Sequence, residues 1–303
     1  MNAPGEPAPV ADWAARGDVL SLPGGDVWVL DQPATVDAGL DPVLVLHGFP
    51  TCSFDWRHVL PALTLSRRVV LFDFPGFGLS DKPDQRYSLR RQADVAEAVC
   101  AALELDRIAL VTHDMGDSIG GELLARDLGG DLGLEITRRV LANGSIYLEL
   151  AHLTPGQLFL LDLPDARLDP PPTGAPPDDG AAMRAALAAT FSPDSPPDPG
   201  ELAAQWALIA RDGGQRLLPR TIRYIEDRRA EEARFTGAIE RHPSPLAVVW
   251  GRQDPIAVVA MVDRLGERRP DAHVTLLDGV GHYPMIEDPA RFAAATVGFL
   301  DAG

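Results

Sequence analysis

The sequence predicts an α/β fold, built on a mostly parallel sheet that helices flank, with a helical segment inserted into it. The first observation is that short apolar runs alternate with helical stretches: Val43–His47 precedes Phe54–Leu63, and Ile108–Thr112 precedes Met115–Arg126. Such alternation is typical of parallel strands joined by crossover helices. The second observation is that the alternation stops after about residue 143 and resumes near residue 246.

Local signals define the remaining elements. The opening runs Val19–Leu22 and Val27–Leu30 flank Gly24–Gly25, which is typical of a hairpin. The other predicted strands and helices follow in chain order: Val69–Asp73, Leu89–Leu103, Arg139–Ala142, Leu246–Trp250, Val258–Arg268, Val274–Leu277 and Pro289–Leu300. This order places strand-and-helix units on both sides of the insertion.

The interruption predicts an inserted helical segment, here called the cap. Residues 164–200 contain ten prolines, a density that excludes a strand or a long helix across that stretch. Helical fragments lie in and around it at Ala181–Thr190, Glu201–Arg211 and Leu218–Arg228. The proline-rich stretch is either a mobile lid or a surface loop. The predicted division is a core at 1–144, the cap at 145–240 and the rest of the core at 241–303.

Composition disfavours several classes of function. The 44 acidic and 27 basic residues give a net charge of −17, which disfavours binding to nucleic acid or to an anionic membrane surface. The apolar runs are far shorter than the ~20 residues that a membrane span requires. The N-terminus has no basic start and no apolar block, so no secretory signal is expected. Cys52 and Cys100 form no C-x-x-C pair, which excludes a cysteine zinc site and favours a reduced, cytoplasmic setting.

The most informative segment is the turn at Asp114, where a buried strand runs into a helix. Thr112 and Gly116 are the small flanking residues that a nucleophile elbow requires. A carboxylate is ionised at neutral pH without help, because its reference pKa is ~3.9. It can displace a leaving group at an sp³ carbon and form an ester that water later hydrolyses. Asp114 therefore predicts epoxide opening or halide displacement; the alternative is that it only caps the helix.

Asp254 and His282 follow later strands, in the chain order nucleophile, acid, histidine that accompanies this turn. Asp254 lies in Gly-Arg-Gln-Asp-Pro and His282 in Gly-His-Tyr-Pro. Ligands bind at the carboxyl ends of the strands in such sheets. His282 can take a proton from water while Asp254 holds its tautomer. The alternatives are a turn-forming aspartate and a loop histidine.

The loop His47-Gly48-Phe49-Pro50, after an earlier strand, completes the predicted site. The backbone amides of Phe49 and Met115 can form an oxyanion hole for a tetrahedral intermediate. His47 and Pro50 are expected at the substrate pocket, with His47 in a mainly structural role. The Phe49–Pro50 peptide is a candidate cis bond.

Together these motifs resemble the α/β-hydrolase superfamily over about residues 18–300, and within it the Asp-nucleophile branch of epoxide hydrolases and haloalkane dehalogenases. The motifs are His47-Gly-Phe-Pro, Asp73-Phe-Pro-Gly-Phe-Gly-Leu-Ser-Asp, the Asp114 turn, Trp250-Gly-Arg-Gln-Asp-Pro and Gly281-His-Tyr-Pro. A narrower resemblance, to the mesoderm-specific-transcript-like group, rests on His113-Asp-Met-Gly-Asp, Leu141-Ala-Asn-Gly-Ser-Ile and Arg211-Asp-Gly-Gly.

The resemblance also bears on the substrate. Haloalkane dehalogenases usually place a Trp after the nucleophile to bind the halide, whereas this chain has Met115, which has no such donor. Trp206 in the cap is the remaining candidate for that contact. Epoxide hydrolases resemble one another in using one or two cap tyrosines as acids. Tyr224, 30 residues before Asp254, is the expected acid and Tyr147 the expected second donor; the alternative for both is packing.

Residues and resemblance together predict an epoxide hydrolase that forms a diol through an ester on Asp114, hydrolysed by water that His282 activates. A haloalkane dehalogenase-type hydrolase and a non-catalytic ligand-binding member of the fold are the alternatives. Neither a metal nor an organic cofactor is expected, because the ester intermediate carries the chemistry. The expected partner is a small, apolar epoxide, with no nucleic acid or membrane partner, and the protein is expected to be a cytoplasmic monomer or homodimer.

Overall fold

A mixed sheet organises the protein, for which a computed structural model describes residues 7–170 and 178–302. Its strands are β1 (Asp18–Leu22), β2 (Gly25–Gln32), β3 (Val43–Leu46), β4 (Val69–Phe72), β5 (Arg107–His113), β6 (Glu135–Ala142), β7 (Leu246–Gly251) and β8 (His273–Leu277). The eight strands lie in the order β1-β2-β4-β3-β5-β6-β7-β8. β2 pairs antiparallel with β1 and β4, and the other neighbours are parallel. The predicted α/β fold is confirmed.

Helices precede, connect and follow the strands. In residues 7–170 and 178–302 they are α1 (Ala8–Ala14), α2 (Leu60–Leu63), α3 (Leu89–Ala102), α4 (Met115–Gly129), α5 (Pro155–Asp162), α6 (Ala181–Ala188), α7 (Pro199–Ala210), α8 (Leu218–Thr221), α9 (Tyr224–Arg241), α10 (Ala260–Arg268), α11 (Pro284–Glu287) and α12 (Pro289–Asp301). None of these helices combines the length and the apolar character that crossing a bilayer requires.

Burial explains why the central strands lack an alternating pattern. Every residue of β3, β4 and β7 is buried, as expected of strands covered on both faces. The edge strand β1 has no buried residue, and its partner β2 is buried only from Val27 to Leu30. The deepest core therefore lies under the central parallel strands, whose carboxyl ends carry the loops of the predicted site.

The cap region contains α5 to α9, between β6 and β7. Helices α6 and α7 match the predicted segments, but the predicted helix over 218–228 is divided between α8 and the longer α9. Helix α9 lies close against α4. A Cβ at Gly121 of α4 would lie 2.8 Å from the Phe235 carbonyl oxygen of α9. Residues 171–177 of the predicted proline-rich lid or loop lie outside the described residues.

Candidate active site

Asp114 occupies a strained turn between β5 and α4. Its φ of 50° and ψ of −112° are rare for a residue other than glycine. The turn contacts the loop after β3 closely: a Cβ on Gly116 would lie 2.5 Å from the Leu46 carbonyl oxygen, and one on Gly48 would lie 2.7 Å from the Asp114 Cβ. Both positions therefore require glycine. Strain of this kind at the end of a strand is typical of a nucleophile elbow.

The Asp114 carboxylate is buried beside the His47–Pro50 loop. The backbone N–H of Phe49 donates to its Oδ2 over 2.9 Å. The Phe49–Pro50 peptide is cis, as predicted. Met115, the other predicted oxyanion-hole residue, is the first residue of α4. The Phe49 amide is thus in place to hold an oxygen of this carboxylate, or of an ester formed on it.

His282 and Asp254 form a buried pair in the loops after β8 and β7. Nδ1 of His282 donates to Oδ2 of Asp254 over 2.7 Å. The other oxygen of Asp254 accepts the backbone N–H groups of Ile256 and Ala257. The amide of Asn143 donates to Oδ2 over 2.7 Å. Because Nδ1 carries the proton of this pair, Nε2 is the nitrogen left for proton transfer.

The carboxylates of the site change the pKa of His282. Burial disfavours a charged His282 ring, but Asp254, with a smaller contribution from Asp114, raises the pKa of the imidazole from 6.5 to about 9. The ring is therefore cationic at neutral pH. Asp114 is close enough to His282 to affect its proton affinity, which places the two groups in one electrostatic environment.

Two further residues hold this pair, and the predicted site did not include them. Nε2 of His113 is 2.8 Å from the carbonyl oxygen of His282, and burial, assisted by the charge of His282, lowers the pKa of His113 to about 4. The neutral His113 ring can therefore donate to that carbonyl. Asn143 directly follows β6 and also accepts the Gly251 N–H over 2.9 Å. The sequence signals for Asn143 were its position at a strand end and its place in the motif Leu141-Ala-Asn-Gly-Ser-Ile.

Tyr224 is brought to the Asp114 loop by the start of α9. The side chain is buried, and its ring centroid lies 5.7 Å from that of Phe49. Burial, with a further contribution from the Asp114 charge, raises the pKa of Tyr224 above its ordinary value. Its hydroxyl therefore keeps its proton near neutral pH and can act as an acid.

Tyr147 is not brought to this group, which corrects the prediction of a second acid. Its hydroxyl donates to Oε1 of Glu240 over 2.9 Å, near the end of α9. The guanidinium of Arg264 lies 5.3 Å from the Tyr147 ring centroid. The hydroxyl is therefore bound to a carboxylate of α9, and the ring packs against an arginine of α10.

A cavity of about 500 Å³ lies beside the site, between the Phe49–Pro50 loop and the cap helices. The cavity is lined by Phe49, Pro50, Trp206 and His282. Asp114 and Tyr224 each contact Phe49. The rest of the lining includes many apolar cap residues: Leu160, Leu163, Leu168, Met183, Leu187 and Leu218.

His47 does not belong to the cavity lining, although the sequence places it at the pocket. Its Nε2 accepts the Phe74 N–H over 3.0 Å, so Nδ1 carries the proton and donates to the Gly48 carbonyl oxygen over 2.8 Å. Burial lowers the pKa of the ring, which favours this neutral form. His47 therefore holds the oxyanion loop in place.

Comparison with known proteins identifies the family. A family model described as "Alpha/beta hydrolase family" matches residues 43–295. The chain belongs to the α/β-hydrolase family. LipZ of Mycobacterium tuberculosis is 39% identical over 292 residues, which cover 96% of this chain and 98% of LipZ. The mesoderm-specific transcript homolog protein of Bos taurus is 33% identical over 297 residues, covering 96% of this chain and 87% of that protein. The predicted resemblance is confirmed.

Two other matches bear on fold and chemistry. A haloalkane dehalogenase of Sphingobium indicum is 40% identical over 93 residues, covering 29% of this α/β hydrolase and 31% of the dehalogenase. The crystal structure of an α/β hydrolase fold protein from Burkholderia ambifaria superimposes with a TM-score of 0.75 at 24% identity, covering 93% of this chain and 97% of that one. The structural likeness shows the fold alone, and family membership supports a hydrolase.

Proposed function

We propose that this α/β hydrolase is an epoxide hydrolase, which opens an epoxide to a diol. The observation that carries the proposal is an aspartate at the strained elbow with the buried hydroxyl of Tyr224 near it. A carboxylate is suited to attack at an sp³ carbon, where it forms an ester. The alkoxide that develops when the epoxide opens needs a proton, which a neutral tyrosine can supply.

The first step forms the ester. Oδ2 of Asp114 accepts the Phe49 amide, so Oδ1 is the oxygen that attacks the epoxide carbon. As this bond forms, the carbon–oxygen bond of the epoxide breaks and its electron pair stays on oxygen. That oxygen takes the proton of Tyr224. The product is a hydroxyalkyl ester of Asp114.

The second step hydrolyses the ester. Nε2 of His282 takes a proton from water, and the hydroxide attacks the carbonyl carbon of the Asp114 ester. The oxyanion formed there is held by the amide of Phe49 and, in the proposed oxyanion hole, by that of Met115. Asp254 stabilises the imidazolium that forms. Collapse of the intermediate breaks the ester carbon–oxygen bond, and the leaving alkoxide takes the proton of the added hydroxyl, which releases the diol and restores the carboxylate.

Residues 145–240 form the proposed cap, and the cavity beneath it supports a small apolar epoxide as substrate. Apolar side chains from α5, α6 and α8, such as Leu160, Met183 and Leu218, line the cavity. Burial of apolar substrate surface against them would favour binding. Phe49 lines the cavity and its backbone N–H binds Asp114, so a substrate in the cavity would meet the nucleophile beside Phe49.

Dehalogenation is the second candidate function. It is supported by the partial match to a haloalkane dehalogenase and by Trp206, which lines the cavity and carries an indole N–H. A halide leaves without a proton, so Tyr224 would have no task in that reaction. A substrate panel separates the two: diol from styrene oxide or a 1,2-epoxyalkane supports the proposal, and halide from haloalkanes without diol supports the alternative. Ligand binding with no turnover of either class would contradict both.

An intact-mass experiment tests the two-step scheme. His282→Gln removes the base of the second step, so the protein is expected to gain the mass of the epoxide and to hold it. Asp114→Asn is expected to gain no mass. His58→Gln, at an exposed histidine, is the matched control and should turn over without accumulating an adduct. Full turnover with no adduct in His282→Gln would contradict the scheme.

A further inference from the structure

Arg228 is a buried cation of α9 that the two-step scheme leaves without a task. It follows Tyr224 by four residues and is 2% exposed. Its Nε donates to the Ser118 hydroxyl over 2.9 Å, and its Nη2 has no hydrogen-bond partner in the part of the chain that the structure describes. Within residues 7–170 and 178–302 it forms no ion pair with a carboxylate. A buried charge without a counter-ion is costly, so its position calls for an explanation beyond packing.

The surroundings of Arg228 connect it to Tyr224. Its guanidinium carbon lies 5.0 Å from the Tyr224 ring centroid, within the range of a cation–π contact. Burial and the charge of Asp114 raise the pKa of the Tyr224 phenol. The charge of Arg228 and its hydrogen-bond contact with Tyr224 lower that pKa and so reduce the rise. Residues four apart on a helix lie on one face, so the backbone of α9 fixes this pairing.

Asp117 on α4 is a titratable group that interacts with Arg228. Burial, with a contribution from Asp114, raises the pKa of Asp117 well above its ordinary value, although Arg228 opposes the rise. Its Oδ1 accepts the Thr112 hydroxyl, and its Oδ2 has no hydrogen-bond partner among the described residues. A raised pKa makes Asp117 a weaker counter-ion for the guanidinium. The Tyr224 ring, whose centroid lies 5.0 Å from the guanidinium carbon, would carry an anion next to Arg228 once its hydroxyl gives up a proton.

We propose that Arg228 is a positioning residue that stabilises the phenolate of Tyr224 formed when the epoxide opens. This inference rests on the proposed function. As the epoxide oxygen takes the Tyr224 proton, the O–H electron pair stays on the phenolate, next to the guanidinium. The proton that His282 later takes from water returns to the phenolate through solvent, so each cycle consumes one water and no net proton. Because the Tyr147 hydroxyl donates to Glu240, the proposal assigns the acid role to Tyr224, assisted by Arg228.

A titration without substrate tests the coupling directly. A fluorinated tyrosine at position 224 ionises at lower pH than tyrosine, so its ionisation can be followed by ¹⁹F NMR in the folded protein. Arg228→Gln is expected to weaken this acid at least about tenfold, the effect of one pKa unit. Arg228→Lys should restore most of the acidity because it keeps the charge. Arg229→Gln, at the exposed neighbouring position, is the matched control and should change nothing.

A second variant keeps the test decisive if Arg228→Gln does not fold. Ser118→Ala removes the hydroxyl that anchors Nε but keeps the charge and the volume of the helix. It should shift the fluorotyrosine titration in the same direction by a smaller factor. If neither folded variant moves the titration beyond twofold, the inference is overturned.

Single-turnover kinetics complete the test. With an epoxide that the wild-type protein turns over, Arg228→Gln should slow ester formation about tenfold or more, within the range of general-acid contributions, and leave ester hydrolysis unchanged. In a Tyr224→Phe background the same substitution should have no further effect on ester formation. Equal slowing in both backgrounds would contradict the inference. Failure of the wild-type protein to open any epoxide would instead refute the proposed function, while the titration still decides the Arg228–Tyr224 coupling.

Discussion

Asp254→Asn tests the electrostatic basis of the second step. In the folded protein, burial opposes the charged ring, yet Asp254 is the largest of the contributions that together raise the pKa of His282 from 6.5 to about 9. A rise of this size corresponds to a preference of about 3 kcal/mol for the imidazolium. An asparagine removes this charge, so that only the smaller contributions of Asp114 and Glu287 still oppose burial. Since the imidazolium forms as water attacks, we expect ester hydrolysis to slow about 100-fold, for a loss of most of that preference.

The assay follows both steps in one experiment. Samples quenched after mixing with an epoxide are analysed by intact mass, which gives the rates at which the Asp114 ester forms and decays. Ester formation does not use His282, so Asp254→Asn should accumulate the adduct. Asp278→Asn, whose side chain is 79% exposed in the turn after β8, is the matched control and should behave as the wild-type protein. Decay at the wild-type rate, or equal slowing of both steps, would refute the reasoning.

Three further predictions follow from the same geometry. Tyr224→Phe should slow ester formation by about 100-fold or more and spare hydrolysis, whereas Tyr147→Phe should leave both rates within about twofold, as rapid quench would show. Gly48→Ala should abolish ester formation, because its Cβ would lie 2.7 Å from that of Asp114. Compared with His282→Gln, the wild-type melting temperature should fall between pH 6.5 and about 9, since a raised pKa stabilises the fold only while the ring is protonated.

Local signals were enough to predict the strands and the order of the main site residues. The apolar runs that form β3, β4 and β7 are buried throughout. Burial on both faces is indicated in the sequence by an uninterrupted apolar run. Asp114, Asp254 and His282 each follow a strand, and the parallel topology brings strand ends together. These three residues could be predicted because the place of each one depends only on the strand that it follows.

The contacts that the sequence did not reveal depend on which distant elements meet. Asn143 acts through the loop after β7, and His113 through the loop after β8. Tyr147 shows the reverse case: the resemblance to epoxide hydrolases suggested it as a second acid, but its hydroxyl donates to Glu240 of α9. The sequence did not indicate a role for Arg228, because its contact with Ser118 exists only where α9 packs against α4. Such roles become visible only when tertiary packing is known.

Charge also favours the order of the two proposed steps. The charge of Asp114 adds to that of Asp254 in raising the pKa of His282, so the free carboxylate makes the ring a weaker base. Esterification neutralises Asp114 and removes its contribution, which lowers the pKa of His282, while Asp254 continues to raise it. A larger fraction of His282 is therefore neutral once the ester that it must hydrolyse has formed. The same neutralisation leaves the phenolate of Tyr224 as the new anion beside Arg228, so the negative charge moves from the nucleophile to the acid while the buried guanidinium remains in place.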